Sequence, residues 1–227
     1  MIKKCFCVLC ALIICFNLFC SQAYAENTNV VFSKGSGKEK KIALTFDDGP
    51  HPRYTKEILN ILEKFDVKAT FFVIGVNIEN YPEDLKRIYN AGHEIGNHSY
   101  DHSILNSEKE ILEQEFDKCE KLIYDNTGTT PTLFRPPQGK MNCDITNIAI
   151  KKGYSLILWS IDTRDWEHNA PNNILKTVNE NISNGDIILM HDYTSGKNTT
   201  CDALNLIIPA LKQKGYEFVT VSELLNS

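Results

Sequence analysis

An α/β fold on a mostly parallel sheet, open or closed into a barrel, is what this sequence predicts, and three observations predict it. Short apolar runs of strand length alternate with amphipathic helical stripes about seven times. No composition break interrupts that alternation once it starts near Lys41. The conspicuous polar clusters fall immediately behind the strand-like runs, at the strand end where α/β proteins carry their chemistry.

The leading stretch stands outside the pattern. Met1-Ile-Lys3-Lys4 is a short basic start, Cys5 to Phe19 is almost wholly apolar, and Ala23-Tyr24-Ala25 is a small-x-small cleavage site. Residues 1–25 therefore read as a secretory signal peptide. The run is short for a transmembrane helix and broken by Asn17. Retention as an N-terminal anchor, or lipoprotein processing at Cys20 behind the bulky Phe19, are the weaker alternatives. Residues 26–40, polar and rich in Gly, Ser and Lys, read as a linker, and residues 41–227 as one domain. A secreted protein, extracellular or associated with the cell wall, is the expected location.

Each element has its own local reason. Lys41 to Phe46 is an apolar strand stopped by Asp47-Asp48 and the Gly49-Pro50 turn. Tyr54 to Phe65 carries a helical stripe at Ile58, Leu59, Ile61, Leu62 and Phe65. Ala69 to Ile74 is a β-type run. Glu83 to Ala91 is helical and closed by Gly92. His93 to His98 is a short strand, and Ser107 to Tyr124 a longer amphipathic helix with Ser107 and Glu110 spaced as a capping box. Thr132 to Arg135 is a strand stopped by Pro136-Pro137. Cys143 to Lys152 is helical, Tyr154 to Ile161 strongly β, and Asn172 to Ile182 helical up to Asn184-Gly185. Asp186 to Met190, a helix over Ala203 to Lys214 closed by Gly215, and a last strand over Tyr216 to Val221 complete the chain.

Composition then excludes several functions. Removing residues 1–25 takes away two lysines and no acids, so the net charge of −5 becomes −7 over the remaining 202 residues. An acidic domain without a basic cluster is a poor partner for nucleic acid or anionic lipid. Stable membrane insertion is expected only if the signal is retained. Five of the eight cysteines lie in the signal, leaving Cys119, Cys143 and Cys201, which form no metal knuckle and allow at most one internal disulfide. No GxGxxG follows the first strand, and neither a phosphate loop nor a GxSxG elbow is present. Dinucleotide and serine-hydrolase chemistry lose their main support.

What remains is a constellation. Asp47 and Asp48 would repel in a closed site unless a cation or a shared proton relieved them. His98-Ser-Tyr-Asp-His102 sets two imidazoles at i and i+4, which on a helical turn face the same way. Two histidines and one of the aspartates make a metal site with a position left for water, suited to zinc, cobalt or another first-row metal. Arg135, at the head of Arg135-Pro-Pro-Gln-Gly139, can clamp a carboxylate bidentately and hold it ionised. Pro136 and Pro137 fix that loop, and a backbone N–H near Gln138 could face a developing oxyanion. Asp162-Thr-Arg-Asp165-Trp166 follows the strongest strand, and His191 ends another, in position to serve as a general acid. His51, His93, His168 and the Phe71-Phe72 pair read as packing or loop residues.

Thr45-Phe-Asp-Asp-Gly-Pro50, His98-Ser-Tyr-Asp-His102, Arg135-Pro-Pro-Gln-Gly139, Asp162-Thr-Arg-Asp165-Trp166 and Leu189-Met-His191 together resemble the five ordered motifs of the polysaccharide deacetylases, the NodB homology domain of carbohydrate esterase family 4. The likeness runs from about Lys41 to Leu225. It implies a distorted, incomplete (β/α) barrel of seven or eight units and metal-dependent removal of N-acetyl groups from β-linked amino sugars. It implies that Asp48, His98 and His102 hold the metal, usually zinc, that Asp47 is the base and His191 the acid. Arg135 would steady Asp47, Asp165 would orient His191, and Pro137, Gln138, Trp166 and Leu189 would shape the substrate and acetyl pocket. Gln138 departs from the family pattern, which often has Tyr there, so sugar preference is the property it puts in question.

Peptidoglycan N-acetylglucosamine is the expected substrate, with the protein acting as a monomer. Chitin oligomers, another exported N-acetylglucosamine polymer and N-acetylmuramic acid are the alternatives. A non-catalytic glycan-binding protein that keeps the fold is the rival from another class. Such a protein should have lost Asp47 or His191, and both are present.

Overall fold

Strand β2 (Lys41–Gly49) is central to the architecture because its two faces serve different purposes. Ile42, Leu44 and Phe46 pack into a large apolar core shared with helices α1 (Tyr54–Lys64), α6 (Pro171–Asn181) and α7 (Thr200–Gln213). Ala43, Thr45 and Asp47 alternate onto the other face. Ala43 meets Phe72, Leu133, Ile157, Ile187, Val219 and Val221 in a second apolar cluster. The interior is therefore apolar at the start of β2 and becomes polar towards its end.

The computed structural model describes residues 30–103, 108–194 and 198–227. The expected signal peptide and the Ser107 of the expected capping box lie outside the described residues. Around β2 stand β1 (Val31–Phe32), β3 (Thr70–Val73), β4 (Glu94–Asn97), β5 (Leu133–Phe134), β6 (Ser155–Ile157), β7 (Ile161–Asp162) and β8 (Ile187–His191). Their spatial order is β1-β6-β5-β4-β3-β2-β8-β7, every pairing parallel, with β9 (Glu217–Phe218) pairing with the start of β2. The remaining helices are α2 (Gly75–Asn80), α3 (Pro82–Asn90), α4 (Lys109–Thr127), α5 (Cys143–Lys152) and α8 (Val221–Leu225). The result is a curled sheet that does not close, the incomplete (β/α) barrel the motifs implied.

Four differences from the sequence reading have physical causes. Part of the expected linker is structured: Val31 and Phe32 extend the sheet beside β6, a pair too short to show any periodicity. The single strand expected over Tyr154 to Ile161 is two. The Arg135 guanidinium takes the Ile157 and Leu158 carbonyls, and Ser160 bonds instead to Asp186 and Ile187 of the β8 side. The chain thus changes neighbours at Trp159, and there the barrel opens. The last strand ends at Phe218 because Thr220 and Glu223 form a capping box that starts α8. The short helix α2 had no sequence signal beyond Gly75 breaking the preceding run.

The three cysteines in the described residues are unpaired, with Cys119 buried, Cys143 exposed and Cys201 between. No helix among the described residues is long and apolar enough to cross a membrane.

Candidate active site

The two aspartates that end β2 should point to opposite faces if the strand ran on regularly. It does not: the β2–β3 register shifts between Asp47 and Gly49, and Asp48 takes a left-handed φ of 71°. That bulge brings both carboxylates to the sheet's C-terminal rim. The Asn77 side-chain amide donates to the Asp48 carbonyl (2.8 Å), fixing the distorted residue. Gly49 is required by crowding, since a Cβ there would collide with the Asp192 carboxylate.

Asp47 is 4% exposed and lies directly across the ladder from His191 of β8. One Arg135 N–H donates to Asp47 Oδ1 (2.7 Å), and the same terminal nitrogen lies 2.7 Å from Thr45 Oγ1. The clamp is therefore single rather than the bidentate pair the sequence suggested, because the other donors serve the carbonyls where the barrel opens. Arg135 is fully buried, with its guanidinium 4.1 Å from the Phe72 ring centre. Burial pulls its pKa down against the pull of Asp47. Phe72 in turn lies so close over Gly96 that a Cβ there would come within 2.5 Å of the ring.

His98 and His102 converge, but not on a helical turn. Residues 98–102 form a loop with left-handed Ser99 and His102. The loop is held from beneath: Glu115 of α4 accepts the N–H groups of Tyr100 and Asp101 (2.9 Å each), and Asn97 Oδ1 accepts that of Ser99. His98 Nδ1 donates to the Arg135 carbonyl at 2.6 Å, which leaves the Nε2 lone pair free to ligate. Burial lowers the His98 pKa against the opposing charges of Asp47 and Asp48, favouring the neutral ring a metal needs.

Asp48 Oδ1 lies 3.6 Å from His98 Nε2 and 3.5 Å from His102 Nε2, and all three donor atoms fall within 4.8 Å of one another. That oxygen is buried without a hydrogen-bond partner among the described residues. An orphaned carboxylate oxygen facing two imidazole nitrogens fits a divalent cation, and the donor set suits zinc or a similar first-row metal.

On the other side of Asp47, His191 Nδ1 bonds to Asp165 Oδ1 (2.8 Å), leaving Nε2 as its second ring nitrogen. Asp165 is fully buried, and its Oδ2 also accepts from the His191 backbone N–H (2.9 Å) and from Thr200 Oγ1 (2.7 Å). Burial works against protonation of His191, but the hydrogen bond to Asp165 and the charges of Asp165, Asp47 and Asp48 outweigh it, raising its pKa to about 9. His191 is thus held as a cation at neutral pH, the state of an acid.

A cavity of about 650 Å³ is walled by Asp47, Asp48, His98, His102 and His191 with Gln138, Trp159, Asp162, Trp166, Leu189, Tyr193 and Thr194. Arg135 and Asp165 stand behind it. Pro137 does not form its wall as the sequence reading expected: it is buried and starts the 3-10 turn that presents Gln138 in a left-handed conformation. The sequence missed Thr45, Glu115, Trp159, Tyr193 and Thr200. Of these, Glu115 had a signal, being an acid on the apolar stripe of Leu112, Phe116 and Cys119. Among the remaining histidines, His93 is buried against Phe71, while His168 is exposed in the loop after Trp166.

Comparison with known proteins agrees with this geometry. The profile described as Polysaccharide deacetylase matches residues 34–157. A peptidoglycan-N-acetylglucosamine deacetylase of Bacillus cereus is 41% identical over 204 residues, spanning 88% of this chain and 95% of the relative. The peptidoglycan-N-acetylglucosamine deacetylase PgdA of Listeria monocytogenes is 41% identical over 187 residues, 82% of this chain but only 39% of that longer protein. The crystal structure of the Bc1960 peptidoglycan N-acetylglucosamine deacetylase superposes with a TM-score of 0.85 at 36% identity, covering 87% of this chain and 94% of the other. By profile, by relatives and by fold, the chain belongs to the polysaccharide deacetylase family of carbohydrate N-deacetylases.

Proposed function

We propose that this protein is a zinc-dependent peptidoglycan N-acetylglucosamine deacetylase, exported and acting as a monomer on the cell wall. One observation carries the mechanism. Asp47 and His191 are cross-strand partners facing one cavity, each pinned from behind by its own buried opposite charge. The substrate assignment is supported by the names of the relatives, and the location by the character of residues 1–25.

Asp48, His98 and His102 would hold the metal. When bound, it would supply Lewis-acid polarisation of the acetamide and lower the pKa of a water at the site from about 15.7 towards about 7. Arg135 occupies Asp47 Oδ1, so Oδ2 is the oxygen left to take the water's proton as the water attacks the acetamide carbon. His191, held protonated by Asp165, gives its Nε2 proton to the departing sugar amine. A backbone N–H of the Gln138 turn would serve the developing oxyanion, and Trp166 and Leu189 would enclose the acetyl methyl; that Gln138, Trp166 and Leu189 all line the cavity supports this reading.

The test is acetate release from purified peptidoglycan and from N-acetylglucosamine oligomers, using chelator-stripped protein before and after zinc or cobalt. Release restored by metal, faster from peptidoglycan, is expected. Release only from the oligomers would reassign the substrate to a chitin-like polymer. No release from either with zinc bound would turn the assignment to glycan binding.

A further inference from the structure

Beyond the reacting centre, the cavity wall carries an aromatic stack that the mechanism does not use. The Tyr193 ring lies almost parallel to His51, at 7° with ring centres 4.8 Å apart. Tyr54 stacks on the same imidazole at 4.8 Å and 23°. Two rings stacked that closely on one imidazole occupy its two faces, so His51 is sandwiched between them. Tyr81 stands beside the stack, tilted, at 6.4 Å.

This stack is anchored. His51 Nδ1 accepts the backbone N–H groups of Arg53 (3.3 Å) and Tyr54 (3.2 Å), and the His51 N–H donates to Thr55 Oγ1 (2.7 Å). Asp192, next to Tyr193, accepts from the Thr55 hydroxyl (2.6 Å) and donates its own N–H to the Asp47 carbonyl (2.8 Å). The outer ring is therefore fixed relative to the base, yet Tyr193 remains 40% exposed. An immobilised aromatic face held open to water at a cavity wall binds with little ordering cost. Thr194, on the same wall and 6% exposed, has a hydroxyl oxygen without a partner among the described residues.

We propose that Tyr193, backed by His51 and Tyr54, is a platform on which a second sugar ring of the glycan stacks, making activity depend on chain length. The inference rests on the deacetylase reading above for its substrate class. A β-linked N-acetylglucosamine keeps its substituents equatorial and shows axial C–H groups on its ring faces, which suit the negative face of an aromatic ring. The reacting sugar must place its acetamide between Asp47 and His191. Tyr193 is two residues beyond His191 on the wall of the same cavity and is stacked on His51 of the loop after β2, so it is placed to meet a neighbouring unit. The cavity's 650 Å³ matches a ligand larger than one acetamide.

The test uses the zinc-loaded full chain with the N-acetylglucosamine monomer and tetramer, and calorimetric binding of the tetramer alongside kinetics. Tyr193→Ala should weaken tetramer binding and lower the tetramer-to-monomer ratio of kcat/KM, each by about 5- to 30-fold, through KM more than kcat. Tyr193→Phe, which keeps the ring, should restore both. Unchanged tetramer binding in Tyr193→Ala, or an equal loss for monomer and tetramer, would overturn the platform. A wild-type protein that binds the tetramer through Tyr193 but releases no acetate would uphold the platform and refute the catalytic reading.

Discussion

Asp47 is buried beside a fully buried arginine, so the two charges must be treated as one unit. Removing either partner of such a pair strands the other, typically costing about 3–5 kcal/mol. The informative substitution is therefore Asp47→Asn, which keeps an acceptor for Arg135 while removing the base. Asp47→Asn and His191→Ala should each lower deacetylation by about 100- to 10,000-fold. Zinc content, measured on purified protein, should be unchanged in both, and wild-type-like turnover in either would remove that residue from its assigned role. The paired charges themselves were legible from sequence, because each ended an apolar run. Their supports were not. Thr45 looks like any strand residue, and Thr200 opens a helix nine residues beyond His191 with nothing to mark it as a donor to Asp165.

Two kinds of element build the site. Strands β2 and β8 set Asp47 against His191 through the ladder, whereas the loop after β4 brings His98 and His102 together by side-chain support from α4. Glu115 is the support that matters most, since it accepts two consecutive loop N–H groups. Glu115→Ala should weaken zinc binding by about 10- to 100-fold although all three ligands remain, as expected for a group that orients ligands indirectly. Competition against a chelating dye would measure it, and wild-type affinity would show that the loop holds itself. The histidine spacing pointed to two residues that the structure does bring together, although in a loop and not on the expected helical turn. A loop with two left-handed residues achieves the same convergence, and only the tertiary contact from α4 specifies it. The same holds for the split between β6 and β7: eight β-prone residues in a row hide a change of partner that Arg135 and Ser160 impose from outside the run.

At the scale of the whole molecule, the barrel separates chemistry from stability along its axis, and β4 shows both ends. His98 leaves its C-terminal end into the site, whereas His93 precedes its N-terminal end, accepting the Ala69 N–H and packing on Phe71. Burial, with a smaller push from Lys68, lowers the His93 pKa to about 4. In the unfolded chain it titrates near 6.5. Between those values the unfolded state binds a proton that the native state refuses, so the neutral ring's contribution is present above pH 6.5 and lost as pH falls towards 4. His93→Gln removes that titration. Its stability deficit against wild type should shrink by an order of 2–3 kcal/mol between pH 7 and pH 4.5 in urea unfolding. An equal deficit at both pH values would show that His93 does not titrate in this way.

The register that sets Asp47 opposite His191 has a consequence for how such a protein changes over time. Backbones of neighbouring strands lie about 4.8 Å apart wherever a sheet forms. The spacing of the Asp47 and His191 backbones is thus set by the ladder and not by the rim loops. On the proposed reading, exchanges around the rim, at Gln138, Trp166 or Tyr193, would alter which polymer is bound while Asp47 and His191 keep their spacing. A lineage built on this frame can diversify its diet without reinventing its chemistry.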